Sequence, residues 1–299
     1  MRFVAGLMLA FVTTAAMAEP IPVRLKDGAT WMISVEHGRK TDRADKTEAW
    51  SVTTVSRVTW KAGAKGAGRL TVTPVSTTPG AGSPPEIAAA TSLEIPVVVE
   101  VDEALTPGRV LNMAELRTSF AAMLKAMDAP ANSSSPLPAL TDASIMALAT
   151  QDLARLALVQ GSDLEVGKEV KYEDDVPNPL GGPPIHSLGA FRLESLDRKA
   201  ARAVIDWRQE FDPQSASRAV VAFVERMMAS APPDKAAEAR AVLSTMKLER
   251  RDYCRYDVDL RSGLVARAEC AADVISGAGA QIARRNDTWT ITQTLPEPR

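Results

Sequence analysis

Histidine is scarce in this chain: only His37 and His186 occur among 299 residues. A catalytic zinc takes three protein ligands, often two histidines one turn apart on a helix, and neither HExxH nor HxxxH is present. No GxSxG elbow frames a serine nucleophile. The phosphate-cradling patterns GxxxxGK[ST] and GxGxxG are also missing. Charge of one sign is not in excess. The formal net charge is −2, and a nucleic-acid partner would call for a basic face. Aromatic residues make up 5% of the chain, too few for a sugar-stacking platform. Beyond the N-terminus no apolar run reaches the length of a bilayer span, so no integral membrane segment is expected. These absences predict a non-catalytic protein with no metal and no cofactor.

Cysteine is nearly absent as well, and the two that occur lie at the ends of one stretch, "CRYDVDLRSGLVARAEC" (254–270). Folding this stretch about Ser262 sets Leu260 against Leu264, Val258 against Ala266, Tyr256 against Ala268 and Cys254 against Cys270. All eight side chains then share one face. Tyr253, Arg255, Asp257, Asp259, Arg267, Glu269 and Asp273 take the other face, the greasy-in, charged-out pattern of a half-buried hairpin. The loop Arg261-Ser262-Gly263 puts glycine third, where a type I turn with a bulge needs positive φ. Cross-strand cysteines in this register are within reach of a disulfide, whereas CxxC redox spacing is lacking. Cys254–Cys270 is therefore expected as a structural disulfide, which excludes a cysteine nucleophile and implies an oxidising compartment.

The N-terminus agrees. "MRFVAGLMLAFVTTAAMAEP" has basic Arg2, an apolar run from Phe3 to Val12, and Ala16-Met17-Ala18 before Glu19. That is the layout of a secretory signal cleaved between Ala18 and Glu19. The expected address is the periplasm, with secretion as the alternative. A mature chain of this size buries roughly three quarters of its unfolded surface, enough for a substantial core.

Strand patterns dominate that mature chain. Trp31, Ile33, Val35 and His37 alternate with Met32, Ser34 and Glu36, while Trp50, Val52, Val58 and Trp60 share an even-numbered face. Ala203, Ile205, Trp207 and Phe211 form another apolar set, as do Trp289, Ile291 and Leu295. Each tryptophan falls on the apolar side of its strand, which predicts core packing for all five.

Four amphipathic helices are expected. The first follows Asn112 as N-cap with Glu115 three residues on, and buries Leu116, Phe120, Met123, Leu124 and Met127. The second spans about 141–160. The third starts at Asp212-Pro213, a cap followed by proline at the first helical position. The fourth follows Pro232-Pro233 and runs to about Lys247, with Val242 and Met246 inward.

These elements predict an α+β fold: curved, mainly antiparallel sheet with about four helices packed on it. The organisation divides into the leader (1–18), a β-rich N-terminal lobe ending in a helix (19–128), a Pro/Ser-rich linker (129–140) and a C-terminal helix and β-rich lobe (141–299). Short echoes such as "VEVDEALTPGRV" and "YDVDLRSGLV" raise the alternative of two similar lobes. The stiff loop "VPNPLGGPPIHSLG" and the methionine-bearing third helix supply candidate ligand or partner contacts: Leu180, Ile185, His186, Met227 and Met228. In organisation, an exported chain of strands with a helical cover is similar to periplasmic lipoprotein-carrier folds. No motif carries that likeness, so it assigns no residue a role. The reading that follows is a binding or carrier module for an apolar small molecule or lipid. An envelope protein that binds other envelope proteins, and a hydrolase built on two carboxylates, are the alternatives.

Overall fold

A computed structural model of the protein describes residues 19–44, 46–64, 67–83, 95–126, 141–178, 181–228 and 245–295. The leader with Ala18, the 129–140 linker, Leu180 and most of the fourth expected helix lie outside the described residues.

Eleven strands form one antiparallel sheet. The first half of the chain supplies β2 (Thr30–Arg43), β3 (Lys46–Ala62), β4 (Gly68–Pro79), β5 (Val97–Val101) and β6 (Pro107–Val110). The second supplies β8 (Glu169–Val176), β9 (Ile185–Asp197), β10 (Arg202–Phe211), β11 (Met246–Asp259), β12 (Val265–Ala278) and β13 (Ala283–Thr294). Their spatial order is β6-β5-β4-β3-β2-β13-β12-β11-β10-β9-β8, so the last strand joins the two halves. The sheet is curved and unclosed, with β6 and β8 at its edges. Bulges interrupt the β3–β4, β9–β10 and β11–β12 registers, and a bulge bends its strand and increases local twist. Two short strands, β1 (Glu19–Pro20) and β7 (Asp163–Leu164), pair with each other apart from the main sheet.

Three helices occur among the described residues: α1 (Met113–Ala126), α2 (Asp142–Ala157) and α3 (Pro213–Met228). Thr141 caps α2 by accepting a hydrogen bond from the Ser144 amide. Asp212 caps α3 in the same way, accepting from the Ser215 amide at 2.7 Å, as its sequence predicts. Asn112 does otherwise. Its side chain accepts from Val98 N and donates to the Pro96 carbonyl, tying α1 to β5 instead of capping it. The fourth expected helix does not reach Lys247, because Met246 and Lys247 already open β11.

Period-2 alternation decides which face is buried. Trp31, Ile33 and Val35 of β2, Val58 and Trp60 of β3, Ile205 of β10, Tyr256 of β11 and Ile291 of β13 point to one inner face. There Leu116 and Phe120 of α1 and Ile145, Leu153 and Leu156 of α2 pack against them. Complete burial of a side chain such as Leu116 or Ile145 contributes roughly 2 kcal/mol. A smaller cluster forms where α3 sets Ala216, Ala219 and Val220 against Ile185, Phe211 and Leu248. α2 is tied down at its C-terminal end, where the Tyr256 hydroxyl donates to the Arg155 carbonyl at 3.1 Å.

The cysteine hairpin forms with Cys254 opposite Cys270 and Tyr256 opposite Ala268, and the disulfide is present. Nearer the tip the expected register is wrong by one residue. Val258 pairs with Val265, not Ala266, and the turn is longer, closed by Gly263 N donating to the Asp259 carbonyl. The cause is Asp259, whose carboxylate accepts from both the amide and the hydroxyl of the buried Ser262. Gly263 has φ +73°, and a Cβ there would lie 2.2 Å from the Pro22 carbonyl oxygen. The tip thus docks on the N-terminal segment, whose Arg24 amide donates to the Ser262 carbonyl.

Candidate functional site

A cavity of about 380 Å3 lies between α2 and the inner face of the sheet. Ile33, Val35, Val52, Val72, Phe120 and Leu153 form its aliphatic and aromatic walls. Its other end is polar, because the inner faces of two neighbouring strands stop being apolar at the same level. On β2 the series Trp31, Ile33, Val35 continues into His37 and Arg39. On β13 the series Ile291, Trp289 continues into Asp287 and Arg285. His37 pairs with Trp289 and Arg39 with Asp287 in the β2–β13 register.

Asp287 is the centre of this group, with its side chain 3% exposed. It accepts from Arg39 Nε at 2.5 Å and from His37 Nε2 at 3.4 Å. Arg285 Nε lies 2.8 Å from its other oxygen but, although buried, is not aligned to donate to it. Burial alone would push the Asp287 carboxyl up. The hydrogen bonds from His37 and Arg39, with the charges of Arg39 and Arg285, override burial and hold it at about 2.

Tryptophans flank these charges. The Trp289 ring stacks on His37 with centroids 4.9 Å apart, and Trp50 meets His37 edge-on at 5.0 Å. The Arg155 guanidinium sits 4.0 Å from the Trp289 ring centre, and that of Arg39 lies 5.2 Å from Trp50. From α2, Asp152 also lines the cavity and accepts from Arg155 at 2.8 Å. Burial raises its carboxyl above the usual range, against the pull of Arg155 and His37.

Trp31, Trp60, Trp207 and Trp289 are core residues, as expected, although Trp289 also borders the cavity, whereas Trp50 is only partly buried and borders it. The candidate contacts read from the sequence lie elsewhere. Ile185 is fully buried under α3 and is a core residue. His186 belongs to β9, not to a loop, and lies 3.5 Å from both Glu173 and Asp175. Met227 and Met228 end α3, and Met228 is not among the residues that line the cavity. Glu19 contributes its backbone to β1. His37 and His186 are separated by four strands, and no group of three His, Cys, Asp or Glu side chains suited to a metal occurs among the described residues.

No family model matches the chain. No curated protein matches it either. Among solved structures, one described as lipid–protein interactions in lipovitellin is 8% identical over 91% of this chain, with a TM-score of 0.46. The chain spans 26% of that lipovitellin chain. OccK11 (OpdR) of Pseudomonas aeruginosa is also 8% identical, over 91% of this chain and 98% of its own, with a TM-score of 0.18. Neither likeness carries an argument about function. The reading below rests on the site's own geometry.

Proposed function

We propose that the protein is a non-catalytic carrier that holds an apolar small molecule or lipid between α2 and the sheet. The observation that supports this is the cavity itself. Its volume falls in the range of small-ligand sites, about 300–1,000 Å3, and Ile33, Val35, Val52, Val72 and Leu153 give it an apolar wall beside its polar residues. The disulfide fits an oxidising compartment. Together with the leader-like N-terminus it supports export to the periplasm. No helix among the described residues is long and apolar enough to cross a membrane.

The test is displacement of a neutral, polarity-sensitive dye such as N-phenyl-1-naphthylamine by lipid, alongside native mass spectrometry of protein purified from its own source. Ala149 lines the cavity from α2. Filling that space with Ala149→Phe should weaken dye and lipid binding about tenfold or more, given that a well-packed pocket does not re-expand for a ligand. Protein that carries no lipid mass and takes up no dye would end this reading.

A further inference from the structure

We infer that the cavity selects amphiphiles with an anionic head, and that Arg39, backed by Asp287 and neighboured by His37, receives the head while the apolar walls take the tail. This rests on the carrier reading above.

The charge balance of the polar end comes first. Three guanidiniums, those of Arg39, Arg155 and Arg285, meet two carboxylates, Asp152 and Asp287. The positive charge left over is that of Arg285, which is 42% exposed and does not line the cavity. Asp152 does not offset it, because its own partner Arg155 lies 2.8 Å away and that pair is self-balanced. Asp287 is shared between Arg39, Arg285 and His37, so no one of them has a carboxylate to itself. Thr54, Ser56, Ser76, Thr77 and Gln151 also line the cavity and could fix an uncharged head, so the case for an anion rests on how Arg39 is held.

The geometry of Arg39 fits that anion. Its side chain is 34% exposed and lines the cavity. Among the described residues it hydrogen-bonds Asp287 through Nε alone, so the two terminal nitrogens of the fork remain for an oxyanion. A guanidinium presents those nitrogens in the spacing of a carboxylate or phosphate, and such bidentate contacts are among the stronger hydrogen bonds. Asp287 fixes the Nε edge and so aims the opposite edge. Trp50, beside Arg39, and Trp289, beside His37, give the junction of head and tail an amphipathic collar.

The experiment compares four probes with one tail: dodecanoate, dodecyl phosphate, dodecanol and dodecylammonium, each displacing N-phenyl-1-naphthylamine from the full-length protein. Both anions should displace the dye at about tenfold lower concentration than dodecanol, the scale of a charge-assisted bidentate contact, and dodecylammonium should be weakest. The order of the two anions tells a fatty-acid type head from a phosphate head. Arg39→Gln should weaken the anions far more than the alcohol and so remove most of the gap between them; a purely structural role for Arg39 would weaken all four by the same factor. If that variant fails to fold, the wild-type ranking of anion over alcohol over ammonium still decides the matter. Equal displacement by anion and alcohol overturns the head-group assignment and leaves the carrier reading standing. No displacement by any probe overturns both.

Discussion

Protonating Asp287 would release His37, Arg39 and Arg285 from their shared partner at once, so its titration should be visible in the stability of the whole protein. Its carboxyl is held at about 2 in the fold, against 3.8 for a free aspartate. A carboxyl depressed by folding stabilises fully above the unfolded value and loses that contribution as pH falls through the folded one. The stabilisation is therefore complete above pH 3.8 and fades towards pH 2. A shift of this size corresponds to at most roughly 2 kcal/mol, and to less where water screens the partly exposed Arg39 and Arg285. Urea unfolding at neutral pH and near pH 2 should show that loss in the wild type and not in Asp287→Asn. Equal acid sensitivity of the two proteins would contradict this account of the cluster.

At the scale of elements, the hairpin β11–β12 is fastened twice. The disulfide joins its middle, and the Gly263 tip docks on the N-terminal segment. Cross-linking residues this far apart in sequence stabilises by about 3 kcal/mol in the chain-entropy model. Replacing both cysteines by alanine should lower the urea midpoint accordingly, with the denaturant slope little changed, and adding reductant to the wild type should have the same effect. This hairpin was legible in the sequence because its pairing is local and its alternation is clean. So were the start of α3, fixed by Asp212-Pro213, and the buried faces of β2 and β13. What escaped was non-local. The partners of Asn112 are on β5, and nothing adjacent to Asn112 distinguishes them from a cap. Likewise Arg39 and Asp287 belong to strands at opposite ends of the chain. A signal for the site was nonetheless present: in "WMISVEHGR" and "RRNDTWTI" the greasy face of a strand runs into charge without changing parity. That conflict is readable as a buried polar group, but only the sheet order shows that the two conflicts meet.

At the scale of the molecule, the open sheet is completed by its last strand. β13 lies between β2 and β12, pairing along nearly its whole length with each, so the two arms of the sheet meet nowhere else in the strand order. Trp289 and Ile291 of β13 belong to the main core together with inner-face residues of both arms. A chain cut before Ala283 should therefore lose cooperative unfolding altogether, and not merely some stability. Two independently melting arms would contradict that expectation. The same arrangement sets a timetable. Both arms are synthesised before β13, the strand that joins them in the sheet, so each must wait for residues 283–294 before the sheet is continuous.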